Sequence, residues 1–152
     1  MYFELIVVGK LILALLLGAF IGYDRETHGS DAGIRTYAAV CIGASIFTAI
    51  AAHIVDDPGA ISRVIANIVT GVGFLGAGII YKNNNQGASK GLTTAATVWC
   101  TAAVGVAVGL NLFAIALAST VILYFLLSLH HQKWYLKWKQ KVAGKHLDKD
   151  ED

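Results

Sequence analysis

Charge is scarce in this chain. Only 14% of its 152 residues are Asp, Glu, Lys or Arg, against roughly 25% in an average soluble domain. Proline occurs once, at Pro58, and cysteine twice, at Cys41 and Cys100. With 56% hydrophobic residues and 16 glycines beside so few charges, both a water-soluble globule and a disordered chain are excluded. Both cysteines sit within apolar runs, and their spacing fits no metal or redox motif. We read them as small buried hydrophobes. The histidines form no HExxH-type cluster. His130 and His131 are adjacent, so they point apart on a helix, and we read them as interfacial. There is no nucleophile–base pair and no phosphate loop, and Ser119 and Ser128 lie in an apolar run without a base nearby. An enzyme is therefore not expected, and no cofactor or nucleic-acid partner is evident.

What is present is a series of long apolar runs. A bilayer core about 30 Å thick needs roughly 20 apolar residues in a helix. The candidates are Leu5–Tyr23, interrupted only by Lys10, then Tyr37–Val55, Val64–Tyr81, Thr93–Val108 and Leu112–Leu129. None shows the strict alternation of a barrel strand. Asp56-Asp57-Pro58-Gly59 breaks the second run from the third, and Gly109-Leu110-Asn111 separates the last two. The predicted fold is an all-α membrane protein, a bundle of about five transmembrane helices over residues 1–131. A basic and then acidic tail over residues 132–152 follows. Asn83–Gln86 reads as a turn, and Asp148–Asp152 as a solvated end. The N-terminus has no basic segment, so a cleaved signal peptide is not expected.

Lysine and arginine positions predict the orientation. Arg25 and Arg35 follow the first run, Lys82 and Lys90 follow the third, and the tail carries Lys133, Lys137, Lys139, Lys141, Lys145 and Lys149. The other side has only Arg63, beside Asp56 and Asp57. This places the N-terminus outside and the C-terminus in the cytoplasm. Lys10, near the outer end, is expected to snorkel to the headgroups. Trp134, Tyr135 and Trp138 suit the inner interface and its anionic lipids.

Lipid is as apolar as leucine, so spans associate through small residues that let backbones approach. Gly18 and Gly22 form one GxxxG pair and Gly105 and Gly109 another, while Gly71, Gly73, Gly76 and Gly78 crowd the third run. We expect these as helix-packing positions, with the third run as the central helix. Such faces also suggest a homodimer.

The polar residues gather at the predicted inner side. Asp24, Arg25 and Glu26 end the first span, Arg35 and Thr36 begin the second, and Lys90, Thr93 and Thr94 begin the fourth. Spans two and four start there, so their free N–H groups and positive dipole ends face that side. Helix starts beside arginines form an anion site. The blander readings are that Asp24 pairs with Arg25 or Arg35, that both arginines only set topology, that Thr93 is a plain N-cap, and that Asn67 makes an interhelical hydrogen bond. Two functions follow. One is a regulator or adaptor that binds a partner or anion through this cluster. The other is a transporter or channel for Mg²⁺ or another small ion, with Mg²⁺ as ligand or substrate. Mg²⁺ usually needs carboxylates, and none lies mid-span.

Four segments together resemble the MgtC/SapB family of bacterial inner-membrane proteins. They are Gly22-Tyr23-Asp24-Arg25-Glu26, Ala32-Gly33-Ile34-Arg35-Thr36, Gly71-Val72-Gly73-Phe74-Leu75-Gly76-Ala77-Gly78-Ile79-Ile80, and Gly91-Leu92-Thr93-Thr94-Ala95-Ala96-Thr97-Val98-Trp99. The resemblance covers roughly residues 5 to 130. It implies a multi-pass protein of the bacterial inner membrane, within the lipid bilayer, tied to growth under magnesium limitation and to survival inside macrophages. It implies action on other membrane machinery, with the F-type ATP synthase as a candidate partner. The family's functional charges fall on Asp24, Arg25 and Arg35, with aspartate at 24 where glutamate is more usual. It also leads us to expect a short form without the soluble C-terminal domain of longer members.

Overall fold

A computed structural model describes residues 2–82 and 89–128; for Lys82, Ser89 and Lys90 it describes the backbone only. The tail residues, Asn83–Gln86, and the aromatic residues Trp134, Tyr135 and Trp138 lie outside the described residues. The described chain forms five helices: α1 Tyr2–Thr27, α2 Ile34–Ile54, α3 Pro58–Lys82, α4 Ser89–Gly109 and α5 Phe113–Ser128. The first four are long and apolar enough to cross a membrane. The described part of the fifth has 16 residues, about 24 Å at 1.5 Å per residue. Leu129, the expected end of that run, is outside the described residues.

The breaks follow local chemistry. Asp57 caps α3, its carboxylate accepting from the Gly59 and Ala60 amides at 2.9 and 3.1 Å. Pro58 follows at the first helical position, where a missing N–H costs nothing. Two helices end in the same Schellman geometry. At the end of α1 the Ser30 amide reaches the Arg25 carbonyl, and Gly29 takes the left-handed position at φ 71°. At the end of α4 the Leu112 amide reaches the Ala107 carbonyl at 2.8 Å, and Asn111 takes that position at φ 64°. Asparagine tolerates this conformation better than other non-glycine residues, so the turn reverses the chain within three residues, Leu110 to Leu112.

The glycine pairs of α1 and α4 both pack on α2. A methyl group on Gly18 would come within 2.7 Å of the Tyr37 carbonyl oxygen, and one on Gly109 within 2.7 Å of the Ser45 carbonyl oxygen. Gly22 and Gly105 are closed just as tightly, against Ile34 and Cys41. Cys41 is fully buried between the two glycine faces. A larger residue there would push both helices away.

The expected central position of the third run is corrected. The central helix is α4, which touches α1, α2, α3 and α5, whereas among the described residues α3 touches only α4 and α2. Among the described residues the one α3 glycine that meets another helix is Gly76, with the Ala95 methyl group at 3.5 Å; Gly71, Gly73 and Gly78 have no described atom of another helix within van der Waals reach. The cause is composition. α4 is built of Ala, Gly and Thr on several faces, so helices approach it everywhere except along the exposed stripe of Leu92, Ala96, Trp99 and Ala103, while α3 alternates its glycines with bulky Phe74, Leu75 and Ile80. An apolar groove of about 560 Å³ lies between α2 and α3, lined in part by Gly43, Phe47, Asn67 and Gly71.

Candidate functional site

The helix α1 does not stop where its apolar run stops. It continues to Thr27, so Asp24 and Arg25 are helical residues, not loop residues. The buried stripe of α1 is Val7, Lys10, Ala14, Leu17, Gly18, Ile21, Gly22 and Asp24. Steps of three and four put these on one face. Both ionisable members of the stripe are therefore aimed into the bundle, at opposite ends.

At the α1 C-terminal end three segments meet. The Arg25 guanidinium donates from Nη2 to Thr94 Oγ1 at 3.3 Å. The Ser30 hydroxyl lies 3.2 Å from the same Thr94 oxygen. Thr94 is buried, and Arg25 is half-buried. One turn deeper, the fully buried Tyr37 phenol of α2 faces Arg25 and the Thr97 hydroxyl without closing a hydrogen bond to either. Arg25 Nε is likewise buried and without a partner. Thr97 donates to its own helix, at the Thr93 carbonyl, 2.7 Å away.

The carboxylates have other tasks. Asp24 is buried and stands 3.5 Å from His28 Nδ1. The alternative pairing of Asp24 with Arg25 or Arg35 is corrected: among the described residues neither arginine forms an ion pair with it. His28 Nδ1 also lies 2.6 Å from the Asp24 carbonyl. The intervening turn brings His28 back over the helix end. Glu26 Oε2 accepts from the Ile34 amide at 2.9 Å and so caps α2. The same carboxylate fills the space beside Gly33, where any Cβ would collide with it.

Of the remaining expected site residues, Arg35, Thr36 and Thr93 are at this end but exposed. Lys90 is in the first turn of α4, with its side chain outside the described residues. Asn67 is remote, exposed on α3 at the α2–α3 groove. Sequence reasoning missed Ser30, His28, Tyr37 and Thr97. Tyr37 was visible as the first aromatic residue of α2, one turn inside its start, but nothing in the sequence gave its partner.

The expected snorkelling of Lys10 is corrected as well. It does not reach for the headgroups. It is buried, and its Nζ donates to the Gly109 carbonyl at 2.7 Å. The negative end of the α4 dipole favours a cation at that point. The other end of the bundle also carries a stacked Phe3–His53 pair, with ring centroids 3.4 Å apart, and an exposed Arg63–Asp57 pair at 3.6 Å. Among the described residues no group of three or more His, Cys, Asp or Glu side chains is placed to hold a metal ion.

The MgtC family profile matches residues 11–133. A protein MgtC of Salmonella typhimurium is 45% identical over 114 residues, covering 75% of this chain and 48% of that protein. A protein MgtC of Brucella abortus is 45% identical over 108 residues, covering 71% of this chain and 44% of its own length. A protein SrpB of Synechococcus elongatus is 36% identical over 150 residues, covering 88% and 82%. The chain thus spans about half the length of the MgtC relatives it matches. No solved structure matches.

Proposed function

We propose, from the premise that this chain belongs to the MgtC family, that it is a protein of the bacterial inner membrane acting in adaptation to magnesium limitation or intracellular stress. In this reading it is no enzyme. It regulates other membrane machinery through the charged end of its bundle, with the F-type ATP synthase as the first candidate partner. The observation that carries the reading is the division of labour between two arginines. Arg25 is held by Thr94 inside the bundle, whereas Arg35 stands exposed at the same end, on the first turn of α2. Arg25 organises the surface, and Arg35 is free to meet a partner. A fixed helical frame that presents an exposed charge is what an adaptor needs.

Magnesium transport is the competing reading, and the placement of charge favours it less. The acidic residues Asp24 and Glu26 lie at a helix end and are engaged by His28 and by the α2 amide. The seam between α2 and α4 is closed by Gly105 and Gly109 against backbone. The test is crosslinking in native membranes followed by mass spectrometry, run on the unaltered chain and on Arg35→Ala. The reading requires a membrane-protein adduct that Arg35→Ala loses at unchanged chain abundance. Mg²⁺ uptake by proteoliposomes, abolished by charge reversal at Asp24, would replace it with transport.

A further inference from the structure

We infer that the side-chain cluster of Arg25, Tyr37, Thr94 and Ser30 is a binding site for a phosphate-class oxyanion, supplied either by a lipid headgroup or by free phosphate. The inference deepens the reading above, because it assumes that this end of the bundle is the working end.

The argument begins with a charge imbalance. Two helices start here. The start of α2 is answered by a carboxylate, since Glu26 accepts from the Ile34 amide at 2.9 Å. The first turn of α4 holds no acidic residue of its own, and Arg25 brings a positive charge to the second turn, bound to Thr94 at 3.3 Å. A cation suits the C-terminal end of its own helix α1 but opposes the positive end of α4. The contrast with Lys10 is direct, because Lys10 sits at the opposite, negative end of the same helix. Among the described residues no carboxylate forms an ion pair with Arg25. Its charge and the positive end of the α4 dipole therefore add up to an anion-seeking field.

The second observation is independent of any helix end. The Tyr37 side chain is fully buried, and its hydroxyl has no hydrogen-bond partner; Arg25 Nε is buried and unpartnered beside it. Buried polar groups are almost always satisfied, and an unsatisfied one calls for a missing water or ion. Here both unsatisfied groups carry an N–H or O–H donor, and one belongs to a cation. A metal ion would be repelled. A tetrahedral oxyanion accepts from several donors at once, and arginine matches it in a bidentate way. The Ser30 hydroxyl, 3.2 Å from the Thr94 oxygen that holds Arg25, adds a further polar group. Arg25 and Ser30, both part-exposed at the level where α1 leaves its apolar run, are the side of the cluster that faces a headgroup or a dissolved anion.

The test uses the full chain in nanodiscs. In one arm the discs are phosphatidylcholine and inorganic phosphate is titrated by calorimetry. In the other, phosphatidylglycerol is mixed into the discs and lipid retained by the chain is read by native mass spectrometry. We expect saturable binding in at least one arm; the first alone assigns a soluble anion, the second alone a headgroup. Tyr37→Phe should weaken that binding about tenfold or more, the scale of a hydrogen bond to a charged group, and Arg25→Gln should abolish it. Without added anion, Tyr37→Phe should unfold at the same temperature as the unaltered chain or above it, because it deletes an unsatisfied hydroxyl. Binding in neither arm overturns the inference, as does equal binding by both variants. A Tyr37→Phe chain less stable in plain phosphatidylcholine also overturns it, since the hydroxyl would then be satisfied already. None of these readouts involves a partner protein, so failure here leaves the regulatory reading to its own crosslinking test.

Discussion

Lys10 and Gly109 are ninety-nine residues apart in sequence and joined by a 2.7 Å hydrogen bond within the bundle. The bond ties the first turns of α1 to the last turn of α4, beside the tight reversal at Asn111. A buried ammonium is costly to desolvate, and the compensation here is the carbonyl end of a long helix.

That balance predicts the sign of a substitution. Lys10→Met keeps the length and loses the charge, relieving desolvation but leaving a buried carbonyl without its donor. The lost charge-assisted bond outweighs the relief, so we expect a fall in stability of about 1–2 kcal/mol. Lys10→Glu should fall much further, because it sets a carboxylate against the negative helix end. Thermal unfolding of the purified chain in detergent, followed by circular dichroism, checks both; a more stable Lys10→Met chain would show that the bond contributes less than its desolvation.

The glycines should divide into two groups. Gly105→Ala drives a methyl group into the Cys41 carbonyl, and overpacking of this kind costs about 1–3 kcal/mol or more. Gly71→Ala and Gly73→Ala meet no other helix, and alanine exceeds glycine in helix propensity by about 1 kcal/mol. They should be neutral or stabilising in the monomer. The same unfolding assay separates the groups, and equal losses at Gly71 and Gly105 would place an unseen neighbour on α3.

Glu26 acts on α2 through one hydrogen bond. Glu26→Ala should cost about 1 kcal/mol, the usual scale for a lost cap, while Glu26→Gln keeps an acceptor and should lose less. Hydrogen exchange at the first turn of α2 reads this locally: the Ile34 amide should exchange faster in Glu26→Ala, with amides near Ser45 unchanged.

The joined end of the bundle must lie on one side of the membrane. Arg25, Ser30 and Thr94 are in contact, so a cysteine at Gly29 and one at Leu92 should react with an impermeant maleimide from the same side. The positive-inside rule predicts that this side is the cytoplasmic one. A cysteine at Gly59 should react from the other. Labelling of Gly29 from outside intact cells would reverse the orientation and remove the cytoplasmic partner from the proposed function.

Much of the fold was legible along the chain. Apolar runs marked the helices, because a membrane span must satisfy its own backbone over a set length. Asp57-Pro58 and Gly109-Leu110-Asn111 marked two of the turns for local steric reasons. The GxxxG pairs of α1 and α4 marked real contacts, and the charged end was recognisable from Asp24, Arg25, Glu26 and Thr94. The order of packing was not legible. A leucine facing lipid and a leucine facing a helix are chemically equivalent, so apolar composition says where a helix is and not which side it buries. Glycine alone was ambiguous too, closing α4 onto α2 but lying open on α3. The partners of the two inward charges were decided in three dimensions only: Lys10 finds a carbonyl from the far end of the domain, and Arg25 finds Thr94 rather than Asp24 beside it, because the helical turn sends neighbouring side chains to different faces.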